Sequence, residues 1–292
     1  MRFTEIGQQL RAYRLESGLR AEEIAARLGV SRAALYRYEK GEVIKLDTVN
    51  RLAELLKISP LSLLGIGVEY YNRPIGFFER LRQVEETADQ ILQVALPLSY
   101  LISSDELDAV EAEIFREAIA ETGTERSAAQ ATADQVQGIL AERKRMYRMR
   151  RPAIIAMLSP SAVTRFLTQG VGQGMARSDT LRFRARAIAR AEIDNIANLM
   201  DAEPMGLQFG LITSGEPTGQ FQILRARDRA TLAINPFRSD TIPHGIAGVA
   251  MITSADEAVS AHQRVAEAMW RDSIKGPGAA SRVRELLAAV PL

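Results

Sequence analysis

The chain has 292 residues, with 37 lysines and arginines against 36 aspartates and glutamates and a formal net charge of +1. This length predicts two domains, because single hydrophobic cores seldom grow beyond about 250–300 residues. The lack of cysteine excludes disulfides and thiolate sites, and two histidines, His244 and His262, cannot build a multi-histidine metal site. No apolar run approaches the ~20 residues of a bilayer span, so we expect a cytoplasmic protein without a membrane partner, metal or cofactor.

The near-zero net charge is the sum of very unequal segments. Residues 1–68 carry a net charge of +3 and residues 191–292 a net charge of −3. Residues 69–142 hold 5 basic and 15 acidic residues, whereas residues 143–190 hold 12 basic residues and 1 acidic residue. Two adjacent blocks of opposite sign predict internal pairing or a charged partner.

Five short helices are predicted within residues 1–68 from the spacing of apolar residues and from the residues that begin or end helices. Ser31 is placed to cap the third helix, and two short helices joined by Gly29-Val30-Ser31 are typical of a helix-turn-helix unit. The five helices are Thr4–Ser17, Ala21–Leu28, Arg32–Lys40, Asp47–Leu56 and Ser59–Leu64.

The stretch Ile24-Ala25-Ala26-Arg27-Leu28-Gly29-Val30-Ser31-Arg32 through Tyr38-Glu39-Lys40-Gly41 resembles the XRE, or Cro/C1-repressor, family of helix-turn-helix regulators. The segment Leu52–Leu64 is similar to the fourth and fifth helices of that family. The resemblance covers about residues 4–66. It implies an all-α, lambda-repressor-like DNA-binding domain of five helices in residues 1–68.

The resemblance also implies which side chains read DNA. The positions that face base edges in the family are occupied here by Arg32, Ala33, Ala34, Tyr36 and Arg37. Arginine can donate two hydrogen bonds to guanine, so we expect operator half-sites with G·C pairs that Arg32 and Arg37 recognise.

Phosphate contacts are expected at the ends of these helices, from Arg20, Ser31, Lys40 and Lys45. Arg20 and Ala21 depart from the family, which has Ser or Thr followed by Gln at these positions, and for Arg20 and Lys45 a solvated surface role is an equal alternative. In the family, an arginine of the first helix pairs with the residue at Glu39, and Arg14 occupies that arginine position here.

Residues 69–292 are predicted to form an α+β domain, helix-rich with a small sheet, in which residues 69–151 are helical and residues 152–292 are mixed. The predicted helices are 77–96, 105–121, 125–150, 161–167, 178–200, 255–273 and 279–290. The predicted strands are 153–158, 207–213, 220–224, 230–234 and 248–253, with a hairpin-like turn at 215–219. The glycine-rich stretch 170–174 favours a loop over a phosphate cradle.

The basic run from Arg143 to Arg151 leaves three interpretations open, in this order: pairing within the protein or its dimer, an anionic ligand, and an additional DNA contact. For a small anionic effector, the candidate ligand-binding residues are Arg182, Arg184, Arg186 and His244.

These patterns together predict a sequence-specific transcriptional regulator and no enzyme. We expect a homodimer that responds to a ligand and binds a palindromic operator in double-stranded DNA. The alternative is an antitoxin-like or partner-regulated DNA-binding protein whose C-terminal domain holds another protein.

Overall fold

The computed structural model describes residues 3–120, 126–176, 178–215, 217, 219–237 and 248–292. Within these residues the N-terminal segment is wholly helical, and the remainder is helix-rich and contains one mixed sheet. The N-terminal helices are α1 Phe3–Ser17, α2 Ala21–Leu28, α3 Arg32–Glu39, α4 Leu46–Leu56 and α5 Pro60–Leu63.

Local sequence accounts for the tight turn between α2 and α3. Gly29 ends α2 in a left-handed conformation with φ of 72°, which glycine adopts without strain. The Ser31 hydroxyl caps α3 by accepting a hydrogen bond from the Ala34 amide at 3.1 Å. Leu35 and Leu52 are fully buried, so the helices are held against one another by an apolar core.

The remaining helices are α6 Pro74–Glu85, α7 Asp105–Ile119, α8 Arg126–Arg150, α9 Pro160–Gln169, α10 Asp179–Ala202, α11 Asp256–Asp272 and α12 Gly276–Ala289. The strands are β1 Val68–Tyr71, β2 Gln90–Leu96, β3 Ala153–Leu158, β4 Leu207–Leu211, β5 Phe221–Arg225, β6 Ala230–Ile234, β7 Ala250–Thr253 and β8 Ile274–Lys275. They form a single eight-stranded sheet in the order β1-β7-β6-β5-β2-β3-β4-β8. Strands β2, β3 and β4 are parallel, and the other pairs are antiparallel.

The predicted helix over residues 77–96 is wrong in its second half. The chain leaves α6 at Glu85, turns at Thr87, whose hydroxyl bonds the Val84 carbonyl, and continues as the parallel strand β2. Because β2 is covered on both faces, its apolar residues form an almost continuous run that also fits helical spacing. The sheet is therefore larger than predicted, and residues 69–151 are not purely helical, since they contain β1 and β2.

The predicted hairpin-like turn at residues 215–219 is also wrong. Strands β4 and β5, which flank it, are separated in the sheet by β3 and β2. The tight hairpin instead joins β5 to β6 through residues 226–229, where the Ala226 amide donates to the Arg229 carbonyl at 2.8 Å.

The glycine-rich stretch forms a short 3-10 helix at Val171–Gly174 that packs on α7. Gly172 has φ of 71°, and a Cβ atom there would lie 2.9 Å from Ile114 Cδ1. Glycine is therefore required here for close packing and a left-handed backbone.

The five-helix segment and the second domain share one apolar core that runs from α1 into the sheet. The ring of Tyr13 in α1 stacks on Tyr71 in β1 with centroids 5.3 Å apart. Glu69 in β1 accepts hydrogen bonds from Gln9 Nε2 at 2.6 Å and from Arg80 Nε at 2.8 Å. The two segments are thus joined by buried contacts as well as by the chain.

The first helix of the second domain receives its N-terminal cap from the five-helix segment. The Glu16 carboxylate in α1 accepts hydrogen bonds from the backbone amides of Asn72 and Arg73, at 2.6 and 3.1 Å, just before α6. This replaces the side-chain cap that Arg73 itself does not supply.

Among the described residues, no helix combines the length and the apolar character that a bilayer span requires.

Candidate functional site

Helix α3 presents an exposed face that contains most of the predicted base-reading residues. Arg32, Ala33 and Arg37 are exposed and Tyr36 is half-buried. Their spacing in the helix places them on one side, opposite Leu35, which is fully buried in the core of the domain. The cap at Ser31 fixes where this face begins.

The guanidinium group of Arg32 is held on this face by two neighbours. It forms an ion pair with Glu22 of α2 at 2.7 Å and donates a hydrogen bond to the Tyr36 hydroxyl at 3.2 Å. It also lies 5.3 Å from the centroid of the Tyr36 ring. These contacts orient the Arg32 side chain in the free protein. They are weak, because the surrounding solvent screens them.

Arg37 is paired in a similar way with Glu42, at 3.2 Å, in the loop that follows α3. Its side chain is 60% exposed and that of Glu42 53% exposed, a situation in which an ion pair contributes about 0–1 kcal/mol. A pair this weak can be exchanged for another acceptor at little cost. Glu22 and Glu42 were not predicted as partners of these arginines. The available sequence signals were an acid in the first turn of α2 and another directly after α3.

Ala34 requires a correction. The structure buries it at 9% exposed, beside the fully buried Leu35, so its methyl group belongs to the domain core and cannot meet a base. Helical geometry explains this, since residues 34 and 35 lie on the opposite side of α3 from residues 32, 33, 36 and 37.

The C-terminal end of α3 is anchored to α1 by an ion pair between Arg14 and Glu39. Arg14 Nε and Nη2 donate to the two carboxylate oxygens of Glu39 at 2.5 and 3.0 Å. Both side chains are largely shielded from solvent, at 14% and 6% exposed. A bidentate, partly buried pair of this kind fixes the orientation of α3 on α1.

The four residues expected to contact phosphate lie at the ends of α2, α3 and α4. Arg20 precedes α2, Ser31 precedes α3, Lys40 follows α3, and Lys45 precedes α4; all four are exposed. The Ser31 hydroxyl is already engaged as the helix cap. The other three residues are basic and lie at the ends of α2, α3 and α4, where we expect them to contact phosphate.

The basic run after residue 142 pairs with acidic residues of the same chain. One of these pairs is buried, Arg143 with Glu85 at 2.8 Å, and in a second the buried Lys144 pairs at 2.7 Å with Asp108, which is partly exposed. The exposed pairs are Arg145–Glu142, Arg148–Asp105 and, at 3.8 Å, Arg150–Asp89. Pairing within the protein, the first of the three interpretations, is the arrangement observed.

The arginines predicted to bind an anionic ligand are engaged with the protein. Arg182 pairs with Asp179, Arg184 pairs with Glu113 at 2.5 Å, and Arg186 donates to the carbonyl of Pro291. They do not converge on one cavity in the described part of the chain. His244 lies outside the described residues.

Comparison with known proteins agrees with the geometry of the N-terminal helices. No curated protein has a significant similarity to the chain. Residues 5–63 match the model of a protein family described as a helix-turn-helix domain, and they coincide with α1 through α5. The N-terminal segment of this chain is therefore a helix-turn-helix domain.

Proposed function

We propose that the protein is a sequence-specific DNA-binding transcriptional regulator. The observation that carries the proposal is the exposed face of α3, on which Arg32 and Arg37 project from a helix that is capped at Ser31 and anchored through Glu39. In helix-turn-helix proteins the second helix of the unit enters the major groove and presents its N-terminal residues to the bases.

The ion pairs of the two arginines suggest how binding occurs. On the approach of DNA, Arg32 and Arg37 exchange Glu22 and Glu42 for the O6 and N7 acceptors of guanine. Lys40, Lys45 and Arg20 neutralise the flanking phosphates, and the displaced carboxylates disfavour non-specific contact with the backbone. Sequence specificity then arises from the base contacts of α3, and the phosphate contacts of the three basic residues fix the position of the protein along the duplex.

We also propose that the protein binds a palindromic operator as a homodimer, in an XRE-type arrangement. A single helix-turn-helix unit reads only one half-site, and two-fold symmetric dimers double that contact. Analytical ultracentrifugation of the full chain, alone and with a duplex containing two half-sites, tests this. A complex of one chain per duplex at saturation would contradict it.

The test of the reading helix begins with selection of binding sites from a randomised DNA duplex library by the full chain. Fluorescence anisotropy with the selected duplex then compares Arg32→Ala and Arg37→Ala with the unchanged protein. Each variant is expected to lose about 5- to 150-fold in affinity, because a bidentate arginine–guanine pair is worth about 1–3 kcal/mol. Repeating the selection with each variant should show relaxed preference at one base pair.

A matched control is Arg282→Ala in α12. Arg282 is also exposed and also pairs with a carboxylate, Glu285, so the substitution removes the same charge far from α3. It is expected to change affinity less than twofold. Equal losses in Arg32→Ala, Arg37→Ala and Arg282→Ala would mean that net charge, and not the reading helix, governs binding.

A further inference from the structure

The second domain contains a cavity at the carboxyl ends of β2 and β3 that the helix-turn-helix domain does not use. Its inner chamber has a volume of about 210 Å³ and its outer chamber about 680 Å³. The two chambers are adjacent, because they share five lining residues: Pro97, Phe166, Gln173, Gln220 and Asn235. In open sheets, the carboxyl ends of parallel strands are a common place for ligands.

The inner chamber is walled largely by aromatic and aliphatic side chains from α6, α7, α8 and the sheet. Its aromatic residues are Phe78, Tyr100, Phe115, Phe166 and Phe237. A cavity of about 150 Å³ with such walls accommodates a molecule of the size of benzene. The inner chamber is therefore large enough for one aromatic ring or a short alkyl chain.

The backbone at the outer chamber is strained. Ala95, near the end of β2, has φ of 63°, where the register with β3 shifts between Val94 and Leu96. A left-handed conformation is unfavourable at a residue other than glycine, and such strain is concentrated at functional sites. Strand β2 thus bends at the point where the cavity opens.

One acidic side chain in the inner wall has no counterpart. Glu111 of α7 is 7% exposed and lies between the inner chamber and a smaller cavity beside Asp108 and Gln137. Within the described part of the chain no hydrogen bond reaches its carboxylate. The charged groups around it are already matched: Lys144 with Asp108 at 2.7 Å, and Arg143 with Glu85 at 2.8 Å.

Burial raises the pKa of Glu111 to about 7, with a further increase from the charge of Asp108 and a decrease from that of Lys144. A buried carboxyl without a hydrogen-bond donor is unfavourable and uncommon in native proteins. Its position in an apolar cavity points to a donor that comes from outside the chain. An unpaired carboxylate favours a positively charged donor. Among the aromatic walls, the rings of Phe78 and Tyr100 already lie 5.5 and 5.4 Å from the Arg143 guanidinium, and the other rings offer apolar surface to the rest of the molecule.

We propose that this cavity binds a small apolar molecule with a primary or secondary ammonium group, which donates to Glu111 while its ring or alkyl chain fills the inner chamber. The ligand class is thus opposite in charge to the anion predicted from the arginine clusters. An effect of the bound amine on operator affinity would rest on the proposed function. The binding site itself does not depend on that function.

The test compares three probes of similar shape by isothermal titration calorimetry on the full chain, without DNA, at pH 8. The probes are 2-phenylethylamine, 2-phenylethanol and 3-phenylpropanoate, with hexylamine as an alkyl analogue. One of the two amines is expected to bind at least tenfold more tightly than the alcohol and the acid. Its affinity should fall at pH 6, where Glu111 is protonated and no longer carries the charge that attracts an ammonium group.

Two variants locate the site. Glu111→Gln is expected to lose at least tenfold in amine affinity while its affinity for the alcohol changes less than twofold. Glu106→Gln, an exposed position on the same helix, removes the same charge and should leave binding unchanged. Leu140→Phe, which enlarges a side chain in the wall of the inner chamber, should weaken binding of all probes. Far-UV circular dichroism verifies that each variant is folded.

The proposal is overturned if neither amine binds below millimolar concentration, if the acid binds more tightly than the amines, or if Glu111→Gln leaves amine affinity unchanged. Operator affinity is measured separately by anisotropy with and without the amine. Amine binding in a protein that does not bind DNA would overturn the proposed function and support the cavity assignment. Operator binding without any amine binding would do the reverse.

Discussion

Several charged side chains are buried in this protein, and they differ in whether a group of opposite charge lies beside them. Arg143 and Glu85 are both nearly inaccessible and form a bidentate pair, so each charge is compensated. Glu111, equally buried, has no such partner in the described residues. A buried pair contributes little net stability, whereas a buried lone carboxylate opposes folding.

Glu111 should therefore make the stability of the protein depend on pH. Its folded-state pKa of about 7 lies above the ordinary value of 4.5, so the folded state binds more protons than the unfolded state between these values. Stability is expected to fall as pH rises from about 4.5 to 7, by up to about 3 kcal/mol from this group.

The measurement is urea denaturation of the protein and of Glu111→Gln at pH 5 and pH 8. Because glutamine carries no charge, the variant should be more stable than the unchanged protein at pH 8, and the two should be similar at pH 5. Glu106→Gln supplies the control, since that carboxyl is exposed. A variant that is less stable than the unchanged protein at pH 8 would show that the carboxylate is compensated after all.

At the scale of elements, the position of the reading helix depends on how closely α1 approaches α3. Gly7 in α1 faces the end of α3, where a Cβ atom would lie 2.5 Å from the Tyr38 carbonyl oxygen and 2.6 Å from that of Glu39. The same contact region holds the Arg14–Glu39 pair. A side chain at residue 7 would therefore separate the two helices.

Gly7→Ala is expected to destabilise the protein by about 1–3 kcal/mol, because the obstructing atoms are backbone and cannot rotate away. It should also weaken operator binding, since α3 is displaced. Gly138→Ala in α8 is the matched control: nothing lies within 4 Å of the new Cβ atom, and alanine favours a helix by about 0.5–1 kcal/mol over glycine. Thermal denaturation of both variants measures the difference, and equal melting temperatures would contradict the close packing of α1 on α3.

At the scale of the whole molecule, the helix-turn-helix domain is joined to the second domain by a buried polar network. Glu69 in β1 is its centre: besides Gln9 and Arg80, it accepts a hydrogen bond from the Tyr71 hydroxyl at 2.8 Å. The apolar core is continuous across this junction. The two domains should therefore unfold together. A conformational change in one domain can be transmitted to the other through these buried contacts.

Differential scanning calorimetry is expected to show one cooperative transition for the unchanged protein. Glu69→Ala leaves Arg80 buried without its partner, which costs about 3–5 kcal/mol, and should lower the melting temperature and divide the transition in two. Glu86→Ala removes a more exposed partner of Arg82 and should shift the melting temperature only slightly. Two resolved transitions in the unchanged protein would show that the domains are not coupled.

The uneven distribution of charge along the chain is explained by contacts between distant segments. The acidic block of residues 69–142 and the basic block of residues 143–190 pair with each other, through α8 against α6 and α7 above all. The sequence predicted pairing as the first of three interpretations. It did not identify the partners, because residues that are 58 or 36 positions apart meet only in the folded chain.

The helix-turn-helix unit could be predicted from local sequence, since caps, turn glycines and apolar spacing act within a few residues of one another. The sequence also placed Arg32 and Arg37 on one face of α3, while Ala34 was assigned to that face wrongly. That residues 90–96 form a strand is evident only in the folded chain, because burial on both faces removes the alternation of apolar and polar residues that reveals a strand in sequence. The tertiary structure alone assembled the cavity and enclosed Glu111 within it, because solvent exclusion is a property of packed elements from distant parts of the chain.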